Sequence, residues 1–334
     1  MSNYKAKKPY DSVRGTLDED KMEEHLEMFG NRVAKNFKKL HRGFRKKNIE
    51  VFRVYDWDIP EIRIVADWYN GHLVVAEYKR TQTDGIENWL ERMAAAAAKK
   101  LELAAENIHL KTRKTGGRKP GHRYVREKNE DQLHEVREGD LKFLVNLNDY
   151  IDTGLFSDHR ATRKMVQDLS HEKSFLNLFA YTGSFTCAAV KGGARQSTTV
   201  DLSNTYLAWA EKNFALNELP NRNHEFVKSD CLDYLHKAKA EGRKWDICLL
   251  DPPSFSTRFG TGRKFDVLRD HPEMLKLALN AISKNGILIF STNHQRFVPD
   301  FDRLKCRNIE EITSQTVPVD YRNKQIHRCW KIYR

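Results

Sequence analysis

No stretch of the 334 residues approaches the ~18 consecutive apolar positions that span a bilayer, which removes the transmembrane class. Cysteine is sparse: Cys187, Cys231, Cys248, Cys306 and Cys329 are scattered without metal-ligand spacing. Their odd number fits poorly with a disulfide framework, and reduced thiols are expected. The opening Met1-Ser-Asn-Tyr-Lys-Ala-Lys-Lys-Pro9 has no apolar stretch of the secretory kind, so a cytosolic location is expected. There is no internal repeat and no Gly-x-Gly-x-x-Gly fingerprint; the second absence counts against a dinucleotide ligand.

Acidic residues are the minority charge. Forty-six Asp plus Glu face 58 Lys plus Arg, a formal net charge of +12, which favours encounter with a polyanion. The excess is concentrated in Lys38-Lys39-Leu40-His41-Arg42-Gly43-Phe44-Arg45-Lys46-Lys47 and in Lys111-Thr-Arg-Lys-Thr-Gly-Gly-Arg-Lys-Pro-Gly-His-Arg123. Positive charge interleaved with aromatic or glycine residues suits a phosphate-contacting surface.

The order of elements changes along the chain. Residues 1–24 read as a basic flexible tail, and 25–150 as an α+β unit: an amphipathic helix over His25–Lys47, strands Val51–Tyr55, Ile62–Trp68 and Leu73–Tyr78, an alanine-rich helix Glu87–Glu106, a strand Ile108–Thr112 and a hairpin of Leu133–Val136 and Leu141–Val145. From 151 to 334 strands and helices alternate. Helix Arg160–Leu169 leads to strand Ser174–Phe179, helix Thr182–Lys191, strand Gln196–Asp201, helix Asn204–Leu216 and strand His224–Lys228. Helix Cys231–Glu241, strand Trp245–Leu250, helix Glu273–Ala281 and strand Gly286–Thr292 follow. This alternation predicts a mainly parallel, doubly wound α/β sheet, closed by Glu310–Gln315 and Ile326–Ile332 as an antiparallel edge pair.

Ligands of such sheets collect beyond the carboxyl ends of the strands, where every candidate falls. Tyr181-Thr182-Gly183 turns strand into helix, either as a plain turn or to bring backbone close to a ligand. Asp201 either accepts from a ribose diol or caps the next helix, and Asp230 either accepts from an adenine amine or caps its own. Asp251-Pro252-Pro253 sets an acid and carbonyls at fixed positions, with Phe255 available to stack on a planar partner. Arg258, Arg263, Lys264 and Arg269 punctuate a loop suited to phosphate. Arg160 and Arg163, three apart on one helix face, form either an anion clamp or a capping network with Asp158. Asp158 and His159 have no partner histidine at useful spacing, so no metal is expected. His294 reads as a surface residue.

Taken together, Tyr55-Asp56 with Asp58 and Pro60, Gly154-Leu-Phe-Ser-Asp158-His-Arg160, Asn177-Leu-Phe-Ala-Tyr-Thr-Gly183, Val200-Asp201-Leu202-Ser203, Asp230, Asp251-Pro-Pro-Ser-Phe255 and Asn323-Lys-Gln-Ile-His327-Arg-Cys-Trp330 resemble the class I S-adenosylmethionine-dependent methyltransferases. More narrowly, they resemble the large-subunit ribosomal RNA methyltransferases of the RlmK and RlmI type, the RlmK unit above all. The resemblance implies a Rossmann-like methyltransferase domain behind a smaller α+β domain, with S-adenosyl-L-methionine as cofactor. It implies Phe179, Tyr181 and Gly183 at the methionine, Asp201 at the ribose and Asp230 at the adenine, with Thr182, Leu202, Ser203, Cys231 and Asp251 also among the cofactor-binding residues. It also implies Asp251, Pro252, Pro253 and Phe255 at the target base, with Arg160 and Arg163 near the reaction or the RNA backbone. The implied partner is RNA, namely large-subunit rRNA or a precursor particle, docked by residues 1–150 or through another protein.

Cytosine C5 methylation needs a cysteine thiolate, and none follows Asp251-Pro-Pro. Guanine N7 already carries a lone pair and needs no base, so N7 of guanine is the expected target. Cytosine C5 chemistry, a noncatalytic RNA-binding module and a small-molecule methyltransferase are the alternatives.

Overall fold

The computed structural model describes residues 19–78, 83, 86–113, 130–257 and 264–334. Helix α1 (Glu19–Arg45) opens the chain, followed by β1 (Val51–Asp56), β2 (Ile64–Tyr69), β3 (His72–Tyr78), α2 (Trp89–Leu101) and β4 (Ile108–Arg113). The four strands form one sheet in the order β1-β2-β3-β4, antiparallel except for the β3/β4 crossover through α2. Both helices cover one face: Phe29, Val33 and Met93 meet Phe52, Val54 and Ile64 in a shared apolar cluster. Met22 is fully buried there too, so residues 19–24, assigned to the tail from sequence, belong to the helix. Helix α2 is shorter than the alanine run implied, because Glu102 takes a left-handed C-cap with φ 56° and closes it on the carbonyls of Ala98 and Lys99.

The hairpin β5 (His134–Glu138) and β6 (Leu141–Val145) joins this layer to the next. Val136, Phe143 and Val145 pack with Val51 and Val74 of the first sheet and with Cys187, Val190 and Phe214 of the second region, giving one continuous apolar cluster.

The rest alternates: α3 (Arg160–Leu169), β7 (Ser174–Leu178), α4 (Ser184–Lys191), β8 (Gln196–Asp201), α5 (Asn204–Leu216), β9 (His224–Lys228), α6 (Cys231–Ala240) and β10 (Trp245–Leu250), then a short ribbon of β11 (Phe255–Thr257) and β12 (Lys264–Asp266), then α7 (Val267–Asn280), β13 (Ile282–Thr292), β14 (Asn308–Glu311), α8 (Thr313–Thr316) and β15 (Arg328–Tyr333). Seven strands form a sheet ordered β14-β15-β13-β10-β7-β8-β9. Alternate residues serve its two faces: Cys248, Leu250, Leu288 and Phe290 pack with α6 and α7, whereas Ile247, Leu249 and Ile289 pack with α3 and α4.

The closing strands β14 and β15 form the expected antiparallel pair at the sheet edge, and β15 also runs antiparallel to its inner neighbour β13. Two other sequence expectations are corrected. Glu310–Gln315 is not one strand: Thr316 Oγ1 donates back to the carbonyl of Thr313 at 3.1 Å, and this local bond turns the chain into α8. Helix α7 begins before Glu273, because the Asp266 carboxylate accepts from the Leu268 amide at 2.9 Å and caps it there, with Pro272 carried inside.

Candidate active site at the carboxyl edge of the sheet

Strand order reverses between β7 and β10, which opens a crevice beyond their carboxyl ends. Just past β7, Phe179, Tyr181 and Gly183 all have left-handed backbone, with φ of 56°, 51° and 71°. For two aromatic residues that conformation costs about 1–3 kcal/mol each and persists only where neighbours enforce it. The enforcing bonds are visible: the Phe179 amide donates to Cys231 Sγ at 3.1 Å, Ala180 to the Val200 carbonyl at 3.1 Å, and Tyr181 to Asp201 Oδ2 at 2.9 Å. The other oxygen of Asp201 accepts from the Ser203 amide at 2.9 Å, so one carboxylate ties the β7 and β8 turns together. Burial raises the Asp201 pKa, and the backbone donors partly offset that rise.

Several sequence candidates take definite places around this turn. Ser203, not Asp201, caps α5, its hydroxyl accepting from the Tyr206 amide, and Leu202 is half-buried beside it. Asp230 caps α6 by accepting from the amides of Leu232 and Asp233. Two readings change. Thr182 points inward, its hydroxyl donating to the Gly154 carbonyl at 2.6 Å, so that side chain is committed to the scaffold. Gly183 is required by packing, since a Cβ would sit 2.6 Å from Cβ of Ala210 on α5. Cys231 is buried as well, and burial holds its thiol pKa well above the usual value.

Asp251 follows β10, whose register sets Leu250 beside Leu178 and therefore Asp251 beside Phe179. Its Oδ2 lies 3.4 Å from Nε2 of His159, a residue weighed from the sequence only as a metal ligand. Burial lowers the His159 pKa, against the pull of Asp251 and Asp158. Nε2 faces two carboxylates, 3.4 Å from Asp251 Oδ2 and 3.9 Å from Asp158 Oδ2, a position that suits a nitrogen carrying a proton better than one carrying a lone pair. His159 also stacks on His327 at 4.4 Å, and His327 Nδ1 lies 3.2 Å from Asp158 Oδ2. Burial alone would raise the Asp158 pKa; His159, His327 and Arg53 outweigh it and hold the carboxylate below its ordinary range.

One ligand atom from each of Asp158, His159 and His327 lies within 4.8 Å of the others. The premise against a metal, that no partner histidine exists, therefore fails: the fold supplies one from 168 positions away. The only sequence signal for it was the closing Asn323–Trp330 motif.

Arg160 and Arg163 form no anion clamp. Arg160 donates to the Val51 carbonyl at 2.9 Å, pairs with Asp320 and lies over the Phe44 ring, and Arg163 makes a bidentate pair with Glu138 at 2.7 Å for each bond. Both guanidinia are buried and bolt α3 to the front sheet and hairpin, which removes Arg160 from the catalytic set. Lys111 is likewise buried, donating to the carbonyls of Asn148 and Tyr150. Lys38, Lys39, Arg42, Arg45, Lys46 and Lys47 are exposed at the end of α1. Arg258, Arg263 and the stretch 114–129 lie outside the described residues, as does the side chain of Lys264, and Arg269 pairs with Asp270.

Pro252 is buried, Pro253 half-buried and Phe255 51% exposed, its ring edge-on to His294 at 5.7 Å. Phe156, 42% exposed, sits 5.3 Å from the Tyr181 ring. A cavity of about 170 Å³ lined by Thr292, Asn293, His294 and Gln325 adjoins Phe255. A larger hollow of about 390 Å³ lies at the opposite edge, by Ser197, His224 and Arg243, away from these acids.

A family model of the S-adenosylmethionine-dependent methyltransferases matches residues 52–316, which include all but the last strand of the second sheet. The chain belongs to that family. It is 43% identical over 311 residues to ribosomal RNA large subunit methyltransferase K/L of Syntrophotalea carbinolica, covering 92% of this chain and 43% of that protein. It is 42% identical over 307 residues to ribosomal RNA large subunit methyltransferase K of Neisseria meningitidis serogroup B, covering 91% of this chain and 86% of that one. The chain thus spans less than half the length of the K/L relative. The crystal structure of SMU.776 complexed with SAH superposes with a TM-score of 0.74 at 23% identity, over 94% of this chain and 82% of that one, which shows the shared fold.

The cofactor of this methyltransferase is S-adenosylmethionine, and the turn chemistry fits it. Asp201 spends one lone pair of each oxygen on backbone amides and keeps acceptor capacity for a diol. No described helix is long and apolar enough to cross a membrane.

Proposed function

We propose that this chain methylates N7 of a guanine in large-subunit ribosomal RNA. The substrate class is carried over from relatives named for large-subunit rRNA, which the chain matches over nine-tenths of its own length. The choice of atom rests on the thiols. Cys187, Cys231, Cys248 and Cys329 are buried, and burial pushes the thiol of Cys187 up to about 12 and raises the others. Cys329 also feels the Asp251 carboxylate, which raises it further, and the half-buried Cys306 shifts the same way. A C5 methyltransferase needs a depressed, exposed thiolate, and this environment works against one.

When bound, S-adenosylmethionine supplies an electrophilic methyl on a sulfonium. Phe179, Tyr181, Asp201, Leu202, Ser203 and Asp230 would hold it, with Gly183 and the backbone of Thr182 and Cys231. Methylation at N7 leaves a cationic purine, and a carboxylate fixed beside it stabilises the charge as it develops. Asp251 fills that role, oriented by the Nε2 proton of His159 and stiffened by Pro252 and Pro253. Phe255 stacks on the base, which must leave its helix to reach the crevice. No group is asked to remove a proton, so alignment and exclusion of water carry the rate.

The test is transfer of labelled methyl from S-adenosylmethionine to undermethylated large-subunit rRNA, with ribonuclease-treated RNA as control. Label on intact RNA is the expected result; cofactor turnover that ignores RNA would overturn the substrate class.

A further inference from the structure

Among the described residues, three aromatic side chains are prominently exposed: Trp57 at 43%, Phe156 at 42% and Phe255 at 51%. Trp57 and Phe156 stand on loops, and Phe255 opens β11. Phe255 follows Asp251, and Phe156 precedes the turn that carries His159. Trp57 comes from the front sheet, yet the loop between α8 and β15 ties it to the same edge. Arg322 donates to the carbonyls of Trp57 and Asp58, the Asn323 amide donates to Asp56 Oδ2 at 2.8 Å, and Tyr321 of that loop bonds Ser157 at 2.6 Å.

The backbone under Trp57 is held firmly. Its φ is 52°, unusual for so large a residue, and its amide donates to the Ile64 carbonyl at 3.2 Å. Asp58 next to it accepts from the Asp56 amide and from Asn36, each at 3.0 Å. The arrangement fixes an indole at the surface instead of folding it into the core, where Tyr55 and Phe44 of the same region are buried. Its surroundings are mixed in charge: Arg63 lies 5.9 Å from the ring centroid and Arg322, bonded to the Trp57 carbonyl, is exposed beside it, while Lys324 of the same loop donates to the carbonyls of Pro318 and Tyr321, and Asp58 and the exposed Glu61 lie nearby in the chain. An exposed aromatic plane with the guanidinia of Arg63 and Arg322 beside it matches an unpaired nucleobase and its phosphate.

We infer that Trp57 is a stacking platform for an unpaired nucleotide of the substrate RNA, separate from the crevice that takes the methylated base. The inference rests on RNA being the substrate. It divides the work of the rim: Phe156 borders the cofactor turn, Phe255 the reacting base, and Trp57 a flanking base that sets which strand segment presents its guanine.

The test is binding of a short unstructured RNA in the presence of S-adenosylhomocysteine, with Trp57→Ala, Trp57→Phe and Trp57→Asn variants; asparagine tolerates left-handed backbone. The expected result is about tenfold weaker RNA binding for the Ala and Asn variants and near-complete rescue by Phe, with S-adenosylhomocysteine affinity unchanged throughout. Wild-type RNA affinity in the Ala and Asn variants would overturn the platform and leave the RNA reading standing. Loss of S-adenosylhomocysteine binding alongside RNA binding would make Trp57 a structural residue and overturn the platform too. A wild-type protein that binds no RNA would overturn the reading beneath it.

Discussion

Strand β10 carries an aspartate near each end, and the two are differently employed. Asp246, near its start, accepts from the amide and hydroxyl of Ser174 at 2.9 Å each, from the Ser283 hydroxyl at 2.8 Å and from Arg195 at 3.3 Å. Burial would raise its pKa, but these bonds win and lower it. Asp251, just past the other end, has a histidine at 3.4 Å and a side chain 26% exposed. One carboxylate is consumed in fastening β7, β10 and β13; the other is oriented and still open toward the crevice. Hydrogen-bond accounting separates scaffold from chemistry here, whereas residue type does not. The larger hollow, at the Asp246 edge, also holds a carboxylate, but Glu225 is spent on the Thr198 hydroxyl and on Arg243.

The first way to break this contrast is to remove each acid in turn. Asp251→Ala is expected to slow methyl transfer by about a thousandfold and to leave the thermal midpoint nearly unchanged. Asp246→Ala is expected to do the reverse: unpaired buried donors cost about 2–3 kcal/mol, a midpoint drop of about 3–4 °C for a chain of this length, with the transfer rate kept. Matching losses in both variants would erase the distinction.

Arg163 extends the contrast to cations. If it belongs to the scaffold as Asp246 does, Arg163→Ala strands Glu138 in the interior and costs about 3–5 kcal/mol, read by denaturant titration. Ligand affinity of the folded fraction stays the same. A variant of native stability with impaired RNA binding would restore the anion clamp.

A smaller effect is expected at His159. His159→Gln replaces the ring with a non-titrating amide whose N–H is no longer held in place by the stack on His327, and lowers the transfer rate about 10- to 100-fold. In the wild type the ring takes a proton only below the ordinary histidine range, where its charge cancels part of the Asp251 carboxylate, so the rate declines on the acid side. The Gln variant loses that acid limb; an unchanged pH profile would count against the positioning role.

The smallest effect concerns three histidines far from the crevice. His72 lies 3.1 Å from His109, which bonds Asn148 at 2.7 Å, and His134 packs on His72. Burial, helped by its two histidine neighbours, pushes His72 down to about 4, and burial lowers His109 and His134 as well. A depressed histidine binds its proton more readily when unfolded, so stability present near neutral pH is lost as pH falls below about 6.5 toward the folded values. Melting curves across that window show a shallower loss for His72→Gln than for the wild type.

Much of the second sheet was legible because its signals are local. Gln196–Asp201, Asn204–Leu216 and Trp245–Leu250 match the structure end to end, being buried runs closed by Ser203, Asp230 and the two prolines. That acids stand after β8, β9 and β10 could be read the same way. The partners could not. Glu138 for Arg163, Asp320 for Arg160 and His327 for Asp158 are joined only by the folded topology, so periodicity carries no trace of them. The same limit hid His159, whose significance is its distance from Asp251.

The account turns on the atom that Asp251 serves. Nucleoside mass spectrometry of rRNA methylated by this protein with labelled S-adenosylmethionine reads that atom directly. The account predicts label in 7-methylguanosine, absent with Asp251→Ala; label in 5-methylcytidine, or label in 7-methylguanosine that survives the substitution, would contradict it.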